Sequence, residues 1–458
     1  MEYNQHVRME RNAMSPEEFE QRLRKCRLEP GERVLAAVSG GADSVCLLAM
    51  LCAVRERYPL EVFCAHAEHG LRGKASLEDE AFVQELCRER NVPFCSEHLD
   101  VTGYAKRKGM GIEEAARTLR HAFLRETATR LDCGAVALAH HQRDQAETVL
   151  MRAARGTDIR GLCAMRMRQG LLIRPFLEDE PENLRRTLCD LGISWREDVT
   201  NSDPAYSRNR VRLRVLPELR RIAPGADRAL CRLGMAAQRD EDYFAACLKE
   251  MDLMPVPLAN GAALRAEKLR GLHPALLSRA LAGLIEAARG TADAQLIREA
   301  EKLVREGRGS VNLPDGGKLS CGPLWLSAVY RDREVPETPL KPGENQTPFG
   351  MFSLYPAEQG ETGDGKRRQW IPSAFSGRLT VGLRRAGETM VPFGRHRPAE
   401  LRKLVADAGV EPGLRGSLPV VRAGGSAVWL PGIRASEDCR CGGENAWMLE
   451  YRGFCPLE

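Results

Sequence analysis

Ser39-Gly40-Gly41-Ala42-Asp43-Ser44 lies between a short apolar, partly β-branched run, Val34 to Val38, and Val45, Leu48 and Leu51 at helical spacing. A strand-loop-helix junction of this kind suits a phosphate. Gly40 and Gly41 allow close backbone approach and positive φ, Ser39 and Ser44 offer hydroxyls, and the helix start presents free N–H groups. Asp43 complicates this reading. A helix end gives an anion at most about 2 kcal/mol, whereas two unit charges 4 Å apart interact by about 4 kcal/mol at an effective dielectric of 20. Asp43 beside a triphosphate is therefore repulsive unless a divalent cation bridges them, which Mg²⁺ does with one or two carboxylates plus phosphate oxygens. The alternative is a Gly-Gly turn with Asp43 as helix N-cap. The loop lacks the lysine of the G-x-x-x-x-G-K-[ST] pattern and is not G-x-G-x-x-G.

S-G-G-A-D-S after a strand resembles the loop of the N-type ATP pyrophosphatases, which cleave ATP between its α and β phosphates to make an adenylated intermediate. Further segments follow in order: HAEHGLRG (His66 to Gly73), GIEEAARTLR (Gly111 to Arg120), HHQRDQAETVLMRAARG (His140 to Gly156) and WREDVTNSDPAYSRNRVRLRVLPEL (Trp195 to Leu219). Together, and with RLTVGLRRAGE and LPVVRAGGSAVWLPGIR near the C-terminus, they resemble the tRNA(Ile)-lysidine synthetase family over most of Val34 to Arg434. Four positions depart from that family's pattern: Glu68 where asparagine is usual, His121 where tyrosine is frequent, and Gln142-Arg143 in place of a small or acidic pair.

The resemblance implies a tRNA-modifying ligase. ATP adenylates C2 of the wobble cytidine in the CAU anticodon of an isoleucine tRNA, releasing pyrophosphate, and free L-lysine then attacks C2 and expels AMP. Ser39, Gly40, Gly41, Ala42, Asp43 and Ser44 would bind ATP, with Mg²⁺ on Asp43 and Arg117 as a second cationic contact to the nucleotide. Asp144 and Glu147 are three apart and share one face if helical. They are candidates to bind the lysine ammonium groups and to accept the ε-proton, unless they are only an acidic pair at a helix start. Six arginines against one acid between Ala205 and Arg221 make Arg208, Asn209, Arg210, Arg212 and Arg214 candidate tRNA contacts, or else a solvated face. His66, His69, His140 and His141 lack the spacing of a zinc signature, and loop positioning or nucleotide contact is the better reading.

Two rival functions share the loop. A tRNA thiolase needs sulfur-carrying cysteines, yet no C-x-x-C occurs. A non-catalytic nucleotide-binding protein has no use for the ordered motifs out to Leu219.

The elements that must position these residues alternate. Apolar strand-like runs at Leu60 to Ala65, Val92 to Cys95 and Ala135 to Ala139 are interleaved with helical patterns near Leu77 to Arg90, Ile112 to Arg130 and Gln145 to Arg155. That predicts an α/β domain, a Rossmann-like parallel sheet with helices on both faces and its ligand crevice at the carboxyl ends of the strands. The expected organisation is an N-terminal extension over 1–30, the catalytic domain over 31–225, a mainly helical tRNA-binding or substrate domain over 226–330, a linker over 331–375 and a small α/β C-terminal domain over 376–458, also expected to bind tRNA. The linker reading rests on the six prolines and five glycines between Arg331 and Pro372. At 458 residues, 43% hydrophobic and 29% charged, the chain is long enough for two or three domains with real cores, and its net charge of +5 hints at an anionic partner. No apolar run approaches the roughly 18 residues of a membrane span, and the charged N-terminus has no signal-like core. The fifteen cysteines, odd in number and scattered through apolar stretches, read as reduced thiols of a cytoplasmic protein.

Overall fold

The computed structural model describes residues 13–68, 74–197, 207–358, 363–441 and 446–457. Two compact units divide the chain, Met1–Asp242 and Tyr243–Glu458. Residues 69–73, with His69, and 198–206, inside the Trp195 to Leu219 motif, lie outside the described residues.

The first unit runs α1 (Pro16–Lys25), β1 (Arg33–Ala37), α2 (Ala42–Val54), β2 (Glu61–Glu68), α3 (Lys74–Glu89), β3 (Phe94–His98), α4 (Val101–Lys108), α5 (Ile112–Arg130), β4 (Ala135–Ala137), α6 (Gln142–Ala154), α7 (Ile159–Leu162), β5 (Arg168–Gln169), β6 (Leu172–Ile173) and α8 (Pro181–Asp190). A helical run follows: α9 (Ser207–Arg210), a π-wound turn over Val211–Val215, and α10 (Leu216–Ile222). Helix α11 (Ala226–Glu250) comes next.

The sheet order is β3-β2-β1-β4-β6-β5, parallel throughout except for the short β5. Strand order reverses between β1 and β4, and in such sheets the crevice outside the strand ends at the reversal receives ligands. Successive side chains alternate faces. Val34, Ala36, Ala135, Ala137 and Ile173 join a core with α1, α2 and α8, while Leu35, Val136 and Leu172 meet Phe123 and Leu124 of α5. Residues from Met14 onward belong to this fold: Phe19 and Leu23 are fully buried in the first core, and Phe19 packs on Phe176 with ring centroids 5.4 Å apart.

The second unit departs from the sequence expectation in two places. Region 226–330 carries helices Pro274–Ala287 and Ala294–Glu306, and also a five-stranded antiparallel sheet built from Val256–Leu258, Gly261–Arg265, Gly309–Asn312, Gly317–Cys321 and Trp325–Tyr330. The 331–375 stretch, expected as a linker, contains strands Gly343–Thr347, Gly350–Pro356 and Arg368–Pro372, all in one sheet with Ala446–Gly453. Its prolines sit at strand ends and turns, where a missing N–H is harmless, while Phe352, Leu354 and Ile371 are fully buried.

The β1-α2 loop that this scaffold presents turns at Gly40, whose φ is +93°, a region costing a residue with a Cβ about 1–2 kcal/mol. Gly40→Ala is expected to lower the unfolding free energy by about that amount, measured by urea denaturation.

Candidate active site

The loop is held from within and from both sides. The Ser39 amide donates to Ser44 Oγ at 3.1 Å, and Ser44 Oγ donates to the Gly41 carbonyl at 2.9 Å. His66, buried at the end of β2, hydrogen-bonds the Val38 carbonyl through Nδ1 at 2.8 Å. From the other side the Arg196 amide donates to the Gly40 carbonyl at 3.0 Å, and the Arg196 side chain is anchored on Asp79 at 2.6 Å and Glu78 at 3.0 Å. Gly41, not Asp43, is the N-cap of α2, and no side chain caps that helix. The first-turn N–H groups of α2 are thus left for an anion, and the carboxylate of Asp43 is left for something else.

That carboxylate faces His141 across the sheet reversal, Oδ2 to Nε2 at 3.5 Å, with the Asp43 side chain 38% exposed. His141 caps α6. Its Nδ1 accepts from the Asp144 amide at 3.4 Å, while Asp144 Oδ2 accepts from the His141 amide at 3.0 Å. Burial disfavours the charged imidazole, but the hydrogen bond to Asp43 and the charges of Asp144 and Asp43 outweigh it and raise the His141 pKa. Asp43 and His141 border a pocket of about 260 Å³ that Arg143, Arg185 and Arg212 also line.

Asp144 and Glu147 do lie on one face of α6, and two of the arginines expected at the tRNA lie on them. Arg208 donates to Glu147 Oε2 at 2.7 Å and to Asp144 Oδ1 at 2.9 Å; Arg212 donates to Glu147 Oε1 at 2.6 Å and to Asp144 Oδ1 at 3.3 Å. The Glu147 side chain is fully buried and that of Asp144 is 12% exposed. A carboxylate is stable there only with its charge paired. For Asp144, burial opposes ionisation, yet the charges of His141 and Arg208 prevail and hold its carboxyl below the usual range. Helix α6 is fixed in turn by Gln145, which exchanges two 2.9 Å hydrogen bonds with the backbone of Met165, and by Gly234 of α11, where a Cβ would meet the Leu162 carbonyl at 3.4 Å.

The remaining expected residues are distributed around this cluster. Arg210 and Arg214 are exposed on the same helical run, and Asn209 is half-buried. Arg117 is exposed on α5 and pairs with no carboxylate among the described residues. The departures from the family pattern have local partners: Glu68 hydrogen-bonds His98 at 3.1 Å, Gln142 reaches the Glu178 carbonyl at 3.4 Å, and Arg143 pairs with Glu182 at 2.6 Å. Among the cysteines only Cys189 is exposed, while Cys52, Cys95, Cys247 and Cys441 are half-buried. No group of three or more His, Cys, Asp or Glu able to cage a metal occurs among the described residues.

Sequence reasoning did not single out His141 as the bridge between Asp43 and Asp144. The signal was its position just before an acid three residues on, the spacing of a capping box. His140 carries a pH consequence. Burial, aided by Arg174, Arg208 and Arg120 and opposed by Asp144, lowers its pKa from 6.5 to about 3. Below pH 6.5 the unfolded chain binds a proton that the native state refuses, so this contribution to stability is lost as pH falls toward 3, by at most about 1.4 kcal/mol per pH unit. His140→Asn removes that contribution. The stability difference between parent and variant, from urea denaturation, is expected to move against the parent between pH 7 and pH 5, and a constant difference would contradict the burial of a neutral imidazole.

Comparison with known proteins gives the site its family. Residues 14–219 match the PP-loop domain family, and residues 379–451 match the TilS substrate C-terminal domain. A tRNA(Ile)-lysidine synthase of Geobacter sulfurreducens is 31% identical over 432 residues, covering 90% of this chain and 91% of that protein. One from Caldanaerobacter subterraneus is 26% identical over 428 residues, covering 90% and 91%. Another, from Thermus thermophilus, is 36% identical over 338 residues, covering 73% and 64%. With both domain families matched in order and a relative of this identity aligned along nine-tenths of each chain, the protein belongs to the tRNA(Ile)-lysidine synthase family.

Proposed function

We propose that this chain joins free L-lysine to C2 of the wobble cytidine in a CAU anticodon, using ATP, with the first unit as its catalytic half. The observation that carries the reading is the pair of carboxylates, Asp144 and Glu147, held with two guanidiniums beside the phosphate loop and Asp43. The chemistry needs two sites in one crevice. The C2 oxygen is a poor leaving group, so it is adenylated first, and the loop from Ser39 to Ser44 with the α2 N-terminus is the seat for the departing pyrophosphate. Asp43 is half-exposed with His141 as its neighbour, so it can offer Mg²⁺ the single carboxylate that this ion takes alongside phosphate oxygens. Mg²⁺ held there would neutralise charge on the pyrophosphate. Arg117, exposed and paired with no carboxylate among the described residues, would supply a cation toward the nucleotide.

The second step needs an amine. Lysine's ε-ammonium, with a solution pKa of about 10.4, must be bound and deprotonated before it attacks C2. Asp144 and Glu147 already bind cationic nitrogen at 2.6 to 3.3 Å, but the cation is arginine. For lysine to enter, one guanidinium must leave, and a tRNA phosphate is the partner that would take it, because a guanidinium pairs with phosphate bidentately. In this reading Arg208 and Arg212 serve both substrates in turn, while Arg210 and Arg214 face phosphate throughout.

Incubation of the protein with labelled lysine, ATP and total tRNA tests the function: label should become acid-precipitable with stoichiometric AMP, and the absence of both would refute it. Asp43→Asn is expected to fold normally and to lose at least about a hundredfold in Mg²⁺-dependent pyrophosphate release, since one charge at 4 Å is worth several kcal/mol. Glu147→Gln and Asp144→Asn should instead raise the KM for lysine at least about tenfold while ATP affinity stays near that of the parent. Parental lysine kinetics in both amide variants would remove the lysine assignment without touching the family.

A further inference from the structure

Arg174 follows β6 at the carboxyl edge of the parallel sheet, where Ile173 pairs with Ala137 of β4. Strand alternation directs it to the α5 side, since Ile173 packs with α2 and α8 and Leu172 with α5. It is 5% exposed. Among the described residues its side chain makes one hydrogen bond, to a neutral acceptor, the Arg166 carbonyl, at 2.8 Å from Nη1, and its buried Nε has no partner there. It forms no ion pair with any described carboxylate. Arg117 opposes its charge, and it acts in turn on His121 and His140; the one opposing influence, Cys26, is a thiol that burial pushes up to about 11 and so supplies no counter-charge near neutral pH. Burial and Arg117 together push its pKa down. A guanidinium buried without a counter-ion destabilises the fold, and here it lies at the strand ends where this class of sheet receives ligands.

We infer that Arg174 is an anion-binding residue of this site, its unpartnered Nε reserved with Arg117 for a phosphate group on the α5 side of the crevice. The inference rests on the ligase reading above for its two possible phosphate sources: the nucleotide, to which that reading assigns Arg117, and a phosphodiester of the tRNA anticodon. Both present a tetrahedral anion that a guanidinium binds through two N–H groups.

Arg174→Met keeps the length and apolar stem of the side chain and removes the charge, and Arg174→Lys keeps the charge without the fork. The full-length parent and both variants are compared by thermal unfolding without ligand, then by titration with ATP and Mg²⁺ in one arm and with a synthetic anticodon stem-loop RNA in the other. The expected result is an unfolding midpoint for Arg174→Met equal to or above the parent's, with affinity reduced at least tenfold in one arm, which identifies the phosphate's source; Arg174→Lys should lose less in that arm. An Arg174→Met midpoint several degrees lower, or affinities of both variants within twofold of the parent in both arms, would make Arg174 a structural residue and overturn the inference. A parent that binds neither ligand would instead count against the ligase reading, so the two failures are separable.

Discussion

Glu147 is a carboxylate with no exposed surface, and the need to neutralise it organises much of the first unit. A buried charge persists only where opposite charge and hydrogen bonds replace the water it has lost. Arg208 and Arg212, four residues apart on the run from Ser207, provide both, and they bind Asp144 with their remaining N–H groups. The segment leading from α8 to α11 is thereby tied to α6. Asp144 passes the connection to His141 through the capping box, and His141 passes it to Asp43 and the phosphate loop. Three motifs far apart in sequence thus meet in one chain of charges.

Such a cluster is stable and also exchangeable. In the proposed reaction an ammonium replaces a guanidinium with the charge balance on the carboxylates kept, so lysine would enter without stranding Glu147, provided the displaced arginine finds an anion of its own. The tRNA is the polyanion this enzyme family works on. On that proposal, arginines filling the site in the free protein would also shield the two carboxylates from adventitious cations until the tRNA is present. The same logic separates Arg208 and Arg212 from Arg210 and Arg214, which sit on the same run but are exposed.

The phosphate loop and the parallel sheet were legible because each depends on local spacing. Gly40-Gly41 before a helix, and apolar runs alternating with helical patterns, have few other physical solutions. Asp144 and Glu147 were legible as a pair on one helix face for the same reason. The ion cluster was not: whether Arg208 meets phosphate or carboxylate depends on a tertiary approach across more than sixty residues of sequence. Nor was the sheet within 331–375 legible, because proline and glycine content does not distinguish a linker from short strands whose prolines lie at their ends. Arg174 gave little signal as one arginine among many, and only its burial without a carboxylate sets it apart.

Calorimetric titration of lysine into the parent protein, with and without a non-reactive ATP analogue and tRNA carrying the CAU anticodon, tests the exchange of arginine for lysine on Asp144 and Glu147 most directly. The account predicts weak lysine binding to the free protein and at least tenfold tighter binding once the tRNA is present. Equal affinity in the two states would mean that Arg208 and Arg212 do not occupy the lysine site, and would contradict it.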